Sequence, residues 1–587
     1  MAVEKLIVDH IDTWTTALQT RSTAGRGNSG KIDLYGIKKL RELILELAVR
    51  GKLVPQDSND EPASVLLERI AEEKSELVKQ GKIKKQKPLP EISEEEKPFE
   101  LPEGWDWARI NDIALFTNGY AFKSSEFQDS GVGIVKIGDI DISGFISTGG
   151  MSYVSEKNIN VLPEEMRVNP GDMVIAMSGA TTGKLGFNKT KNTFLLNQRV
   201  GKIAPYSVDK EFIYHYLSTR IEANLSISLG SAIPNISTAQ INSIIIPIPP
   251  SNEQIKITAR VKSLISLCNQ LEQSSLASLD AHQQLVETLL TTLTDSQNAD
   301  ELAESWARIS EHFDTLFTTE ASIDALKQTI LQLAVMGKLV PQDPNDEPVS
   351  ELLKRIAQEK AQLVKDGKIK KQKPLPPISD EEKPFELPDG WGWCLFEDVV
   401  DIQSGITKGR NLANRKLISI PYLRVANVQR GYLDLSEVKE IDIPEEEKDK
   451  YHVIKGDLLI TEGGDWDTVG RTTVWCHDWY IANQNHVFKG RIIGQDIDPY
   501  WLETYMNSPY SRDYFASASK QTTNLASINK TQLRGCPVAI PPSSEADKIM
   551  LKLNDFNELC EKLKLKIQSA QQTQLHLADA LTDAAIN

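Results

Sequence analysis

Cysteine is scarce in this 587-residue sequence: Cys268, Cys394, Cys476, Cys536 and Cys560 are the only five, and no two form a Cys-x-x-Cys pair. That pattern excludes a disulfide framework and a structural zinc site and suits a reducing compartment. Long apolar runs are missing too, with nothing near the roughly 18 residues of a membrane span. The start, Met1-Ala-Val-Glu-Lys5, lacks the basic-then-apolar pattern of a secretory signal. A cytoplasmic chain with no membrane partner is the expectation. Basic charge is in deficit: 66 Lys plus Arg against 82 Asp plus Glu leave a net charge of −16. Taken whole, this excludes a nonspecific nucleic-acid binder, because phosphate neutralisation dominates such binding. A phosphate-binding loop is absent as well. Gly179-Ala-Thr-Thr-Gly-Lys184 imitates one, but three residues separate its glycines instead of four, and Leu185 stands where Ser or Thr is needed.

What the sequence does have is an internal repeat. Gly51 to Asp57 (Gly-Lys-Leu-Val-Pro-Gln-Asp) recurs as Gly337 to Asp343, and Gly81 to Pro90 recurs letter for letter as Gly367 to Pro376. Phe99-Glu-Leu-Pro-Glu-Gly-Trp-Asp-Trp107 returns as Phe385 to Trp393, so that 45 of the 57 positions from 51 to 107 are identical at an offset of 286. Beyond Trp107 and Trp393 the likeness collapses, then returns faintly at Pro249-Pro250-Ser251 and Pro541-Pro542-Ser543. Two copies of one frame therefore surround two unlike segments. A solenoid needs more and shorter repeats. A duplicated enzyme would be expected to keep its catalytic segments alike.

The shared blocks read as helices and linkers. Residues 37–50 have helical period and stop at Gly51 with Pro55 beyond, a left-handed C-cap pattern. A second helix starts around Pro62 and ends near Gly81, and its copy runs from Pro348 to Gly367. The following stretch, with Lys84, Lys85, Lys87, Pro88, Pro90, Pro98 and three glutamates, predicts an extended, solvated connector. Residues 252–295 and the C-terminal stretch carry apolar seams: Val261, Leu264, Cys268 and Leu271 in one, Phe556, Cys560, Leu563 and Ile567 in the other. Such spacing matches helix-on-helix coiled packing. Val261, Leu264, Leu271, Phe556, Leu563 and Ile567 are the candidate partner-binding residues. Trp14 has a rough counterpart in Trp306, so the first and last helices complete one frame and the central helices the other.

The unlike segments are rich in short β-branched runs broken by Gly, Asn, Asp and Ser. They keep a faint common skeleton: Lys136-Ile-Gly-Asp-Ile140 beside Arg424-Val-Ala-Asn-Val428, Gly171-Asp-Met-Val-Ile175 beside Gly456-Asp-Leu-Leu-Ile460, and Asn197-Gln-Arg199 beside Asn483-Gln-Asn485. Gly230 to Ser237 likewise parallels Thr522 to Asn529. Residues 108–250 hold 12 basic and 12 acidic side chains and residues 394–542 hold 17 and 20, so most of the negative charge lies on the frame. Near-neutral domains with amides and cations in loops suit local readout of base edges: Arg and Lys toward guanine, Asn and Gln toward adenine. The candidates in the first domain are Lys136, Ser178, Thr181, Thr182, Lys184, Arg199, Ser231 and Asn235. In the second they are Arg424, Asn427, Gln429, Trp466, Arg471, Asn485, Thr522, Thr523 and Asn524. A turn residue satisfying its own backbone is the competing reading for any one of them.

At these residues the chain resembles the specificity subunits of type I restriction–modification systems, and its long identical blocks resemble the branch labelled IB. The resemblance implies an α+β fold: two β-rich target-recognition domains, separated by long antiparallel coiled-coil helices in a pseudo-twofold repeat. The segments would be 1–107, 108–250, 251–393, 394–542 and 543–587. It further implies recognition of a split double-stranded DNA site, two methyltransferase subunits binding S-adenosylmethionine and methylating adenine, and restriction subunits using ATP and Mg. No cofactor or metal is expected in this chain. Consistent with this, no Asn-Pro-Pro-Tyr or Asp-Pro-Pro-Tyr occurs: Pro249-Pro250, Pro376-Pro377 and Pro541-Pro542 are followed by no aromatic. Two alternatives stand beside it. A self-sufficient restriction enzyme would need the missing motifs, and a scaffold with two β-rich protein-binding domains would need no DNA.

Overall fold

The computed structural model describes residues 3–21, 31–141, 143–179, 182–220, 235–464, 468–522 and 525–586. The shared blocks form a helical frame. Helix α1 (Tyr35–Val49) runs into Gly51, which has φ of +68°. A Cβ there would lie 2.5 Å from Pro102 Cγ and 3.0 Å from the Trp105 ring. Glycine is thus required twice over, by the left-handed turn and by the close approach. Gly337, with φ of +69°, meets Pro388 and Trp391 in the same way. Helix α2 (Ala63–Lys79) starts after Pro62, and its Lys74 Nζ donates to the carbonyl of Asn111.

The connector after α2 is extended, apart from a single turn at Glu94–Glu96, but it is not simply solvated. Arg109, 5% exposed, donates to Pro90 O at 3.2 Å and to Glu96 Oε1 at 3.0 Å. In the second copy Arg534, from the other end of its domain's sequence, bonds the connector instead, reaching Lys373 O at 2.7 Å and Glu397 Oε2 at 2.6 Å. A buried guanidinium must bond its donors, and the connector's free carbonyls supply acceptors. The expectation of a wholly solvated linker is corrected on this point.

The first β-rich domain contains β1 (Asp106–Arg109), β2 (Ala114–Asn118), β3 (Val132–Val135), β4 (Met173–Ala176), β5 (Leu185–Phe187), β6 (Phe194–Leu196), β7 (Val200–Pro205) and β8 (Ile245–Ile248). A four-stranded sheet takes the order β5-β4-β7-β2, a second sheet pairs β6 in parallel with β3, and β1 closes on β8. Because β1 begins at Asp106, the paired strands reach across the expected boundary at 107/108. Helix α3 (Lys210–Thr219) is capped by Asp209, and α4 (Ser251–Asp295) is 45 residues long.

The second half repeats the plan. Its helices are α5 (Glu320–Val335) and α6 (Val349–Lys365). The strands are β9 (Gly392–Leu395), β10 (Val400–Gln403), β11 (Leu417–Leu423), β12 (Leu458–Thr461), β13 (Thr472–Val474), β14 (Ala482–Asn483), β15 (Val487–Ile492) and β16 (Pro537–Ile540). The order β13-β12-β15-β10 matches β5-β4-β7-β2 strand for strand, β14 is parallel to β11, and β9 closes on β16. Helices α7 (Pro499–Met506) and α8 (Ser543–Ile586) follow. Among the described residues no helix is long and apolar enough to cross a membrane.

The chain divides into two compact units, residues 1–278 with 570–587, and residues 279–569. The long helices are shared: α4 begins in the first unit and ends in the second, and α8 does the reverse. Within the first unit Lys52 Nζ donates to Ile586 O at 2.5 Å; within the second, Lys338 Nζ donates to Thr294 O at 2.9 Å. Packing within each unit uses the apolar seams. Val261, Cys268 and Leu264 are at most 3% exposed, and α1 lies against that stretch through Arg41, bonded to Asn269 and Glu272. Phe556, Leu563 and Ile567 pack on the second unit's core, beside the Lys327–Glu561 and Lys564–Asp324 ion pairs between α5 and α8. Leu271 is half-buried. Val261 and Leu264 are therefore spent on internal packing and present no surface to a partner. The large apolar residues that face outward among the described residues are Ile255, Leu267, Leu276 and Leu285 on α4, and Leu551, Leu559, Leu565 and Leu577 on α8; of these, Leu267 matches Leu559 and Leu285 matches Leu577 at the offset of 292.

Candidate nucleic-acid interface

In each β-rich domain the strand after Gly-Asp leads into a junction of three chain segments. In the first, β4 continues to Met177, whose amide donates to Arg199 O at 2.9 Å and whose carbonyl accepts from Ile236 at 2.8 Å. Ser178 then bridges to Asn235. Three chain segments meet there and line an open hollow of about 630 Å³ with Asn118, Ser178, Gln198, Arg199, Asn235 and Thr238. Arg199, Gln198 and Asn235 are exposed. The buried Ser178 Oγ has no hydrogen-bond partner among the described residues, and Thr238 Oγ1 donates to Asn118 Oδ1 at 3.0 Å.

The second domain builds the same junction from other side chains. The Glu462 amide donates to His486 O at 2.9 Å, and Glu462 O accepts from Ile528 at 2.9 Å. Gly463 pairs with Ser527. Met177 and Glu462 thus occupy one position, as do Arg199 and His486. This corrects the alignment of Asn197 with Asn483. Tyr120 donates to Leu196 O where Ile406 donates to Asn483 O, so Leu196 matches Asn483, and Gln198 matches Asn485. The His486 imidazole stands 2.6 Å from Glu462 through Nδ1, and Asn485 Nδ2 lies 3.4 Å from His486 Nε2.

A second cluster sits at the turn after β3 and its counterpart after β11. Lys136 and Arg424 open equivalent short turns, with their amides bonded to Asp139 and Asn427. Their side chains are turned inward on the domain. Lys136 Nζ donates to Ser152 Oγ at 2.6 Å and sits over the Phe127 ring, while Arg424 pairs with Glu437 at 2.9 Å. That arginine, with Lys439, holds the Glu437 carboxyl below its ordinary range. Asn427 is 3% exposed and donates to Asp434 O and Glu437 O. Lys136, Arg424 and Asn427 therefore act first as turn supports, the competing role weighed for them above.

Gln429 and Arg471 are brought together, Arg471 Nη1 to Gln429 Oε1 at 2.7 Å. Lys184 stands where Arg471 does: the Ala176 amide bonds Lys184 O as Thr461 bonds Arg471 O. Its neighbour is Asp141, whose carboxyl is held below its ordinary range by the Ser143 amide, with a smaller contribution from the Lys184 charge. On either side of residues 180–181, Gly179 has φ of +82° and Thr182 Oγ1 donates to Gly179 O at 2.6 Å; Thr182 is buried. Thr181, Ser231, Trp466, Thr523 and Asn524 lie outside the described residues, as does the side chain of Thr522.

Both domains carry one buried lysine under the sheet. Lys489 Nζ donates to His452 O at 2.9 Å, and burial pulls its ammonium down to about 8. Lys202, in its place, donates to Arg167 O at 2.5 Å. Asn118, Gln198, Thr238, Glu462 and His486 were not anticipated from sequence. Their signal lies in strand register, which short identities do not fix. No group of His, Cys, Asp and Glu among the described residues could hold a metal ion.

The family described as Type I restriction modification DNA specificity domain matches twice, at residues 102–281 and 388–570. The chain belongs to this family. It is similar, at 48% identity over the whole of both chains, to the Type I restriction enzyme EcoEI specificity subunit of Escherichia coli. It is 49% identical, again over the whole of both chains, to the EcoAI specificity subunit of the same organism. A solved chain, titled for complex assembly and conformational transition of the type I R-M system, matches at 17% identity and a TM-score of 0.45, covering 84% of this chain and 99% of that one. Both family matches begin in the Leu-Pro-x-Gly-Trp-x-Trp block and end within α4 or α8, so each specificity domain includes its packed long helix.

Proposed function

We propose that each β-rich domain reads one half of a bipartite double-stranded DNA site, and that the chain supplies recognition while partner subunits methylate adenine and cut DNA. The observation that carries this reading is the three-segment junction built twice at one place in one sheet topology and bearing different side chains. A duplicated scaffold with altered reading positions is what two unlike half-sites require. S-adenosylmethionine, ATP and Mg belong, on this reading, to two methyltransferase subunits and to restriction subunits. The acidic frame makes tight DNA binding depend on partners that grip the phosphates. Leu267, Leu285, Leu559 and Leu577, exposed at matching places on the two long helices, are the surface offered to those partners, in place of Val261 and Leu264.

The test is to map methylated adenines in DNA from cells carrying the complex, then exchange residues 108–245 for those of a relative. One half of the methylated sequence should change and the other stay. A change in both halves, or methylation by the isolated chain, overturns the proposal.

A further inference from the structure

The acid–histidine pair at the second domain's junction has no counterpart in the first, and its chemistry is specific. Glu462 follows β12 at the junction of three segments, with its backbone bonded on both sides, to His486 and Ile528. The carboxylate is therefore fixed in place by strand pairing. Its Oε2 is held by His486 Nδ1 at 2.6 Å, and no described residue bonds the other oxygen. His486, with Asn485 donating toward its Nε2 at 3.4 Å, is set to carry its proton on Nδ1, facing Glu462. The pair is accessible, with 29% of the Glu462 side chain and 54% of the His486 side chain exposed. In the first domain the same two positions carry Met177 and Arg199, whose side chains offer no acceptor stronger than a thioether sulfur.

A carboxylate facing a phosphate-lined duplex is repelled unless it meets a hydrogen-bond donor. The donors on base edges in the major groove are the exocyclic amino groups, cytosine N4 and adenine N6. We infer that Glu462 is a specificity-determining residue of the second domain, accepting a hydrogen bond from an exocyclic base amino group, with His486 as its positioning residue. This rests on the reading above that the junction faces DNA. The first domain, with Met177 in the place of Glu462 and Arg199 in the place of His486, presents a donor beside the junction and suits an acceptor edge instead. The two junctions therefore favour opposite hydrogen-bond patterns in their half-sites.

The test uses the assembled complex and a panel of duplexes in which each base of the recognised site is replaced in turn. One position of the second half-site should lose binding, roughly tenfold or more, when its amino group is removed. Purine in place of adenine and a pyrimidinone in place of cytosine separate the two sources. Glu462→Met, which puts the first domain's residue at this position, should abolish that discrimination and leave every position of the first half-site as before, which also shows that the variant is folded. His486→Asn, which keeps a donor for the carboxylate, should preserve more discrimination than His486→Ala. Unchanged discrimination in Glu462→Met, or an equal loss at all positions of both halves, overturns the inference while leaving the bipartite reading intact. A wild-type complex with no bipartite site overturns both.

Discussion

The two units differ least where they hold themselves together and most where they open to solvent. Gly51 against Trp105 and Gly337 against Trp391, and Lys202 and Lys489 under their sheets, are one solution used twice. At the junctions the chemistry inverts, with Met177 and Arg199 in the first domain and Glu462 and His486 in the second. Lys184 and Arg471 fall between these extremes, since the cation is kept while its neighbour changes from Asp141 to Gln429. In a duplicated scaffold, a position that keeps its charge meets something common to both halves of the ligand. A position that inverts meets something particular to one half. DNA offers both, the phosphates being common and the base edges particular.

This comparison can be broken at several levels, beginning with the frame. Trp105, 8% exposed, packs on Phe212 and donates to Glu253; Trp391, 9% exposed, packs on Trp501. Trp105→Ala and Trp391→Ala should each cost about 3–5 kcal/mol. Hydrogen exchange should place each loss in its own unit, and a loss spread equally over both would refute two independently packed halves. A smaller effect separates the units by pH. Burial pulls His215 on α3 down to about 4, and Thr504 stands in the matching place on α7, which is capped by Asp498 as α3 is by Asp209. Because the unfolded chain takes up this proton first, the contribution is intact above pH 6.5 and is lost as pH falls toward 4, by at most about 3 kcal/mol. Urea unfolding at pH 7 and pH 5 should show unit 1 losing the difference, and His215→Thr should remove it. The smallest effect concerns the conserved cations. Lys184→Ala and Arg471→Ala should each weaken binding of every sequence alike and lower the salt slope by about 1. Relaxed specificity at a single base pair would make Arg471 a base reader after all.

Much of this was legible in the sequence. Residues 51–107 and 337–393 announced the duplicated frame, and Gly-Asp followed by three apolar residues announced β4 and β12. What failed was register. The hairpin after β12 is two residues longer than the one after β4, so the offset between copies moves from 285 at Ile175 and Ile460 to 287 at Leu185 and Thr472. The chance identity Asn-Gln, at 286, lies between them, and aligning on it hid His486 behind Asn485. The seams failed for another reason. Periodicity shows that Val261 and Leu264 are buried but not against what, and here they face inward within their own unit, as α1 and Arg41 show. Lys136 and Arg424 were read as candidate base contacts, and spacing could not reveal that Ser152 and Glu437 occupy their side chains.

The crossed ownership of the long helices has a consequence for biosynthesis. Unit 2 is one uninterrupted stretch, residues 279–569, whereas unit 1 is closed by residues 570–587. On the ribosome, then, the later half of the molecule can finish folding first. The earlier half must wait, with part of its surface uncovered, until a segment made after the whole of its twin arrives to seal it. A circular permutant opened at residue 279 would remove that delay from unit 1, because 570–587 would then precede 1–278 in the new order of synthesis.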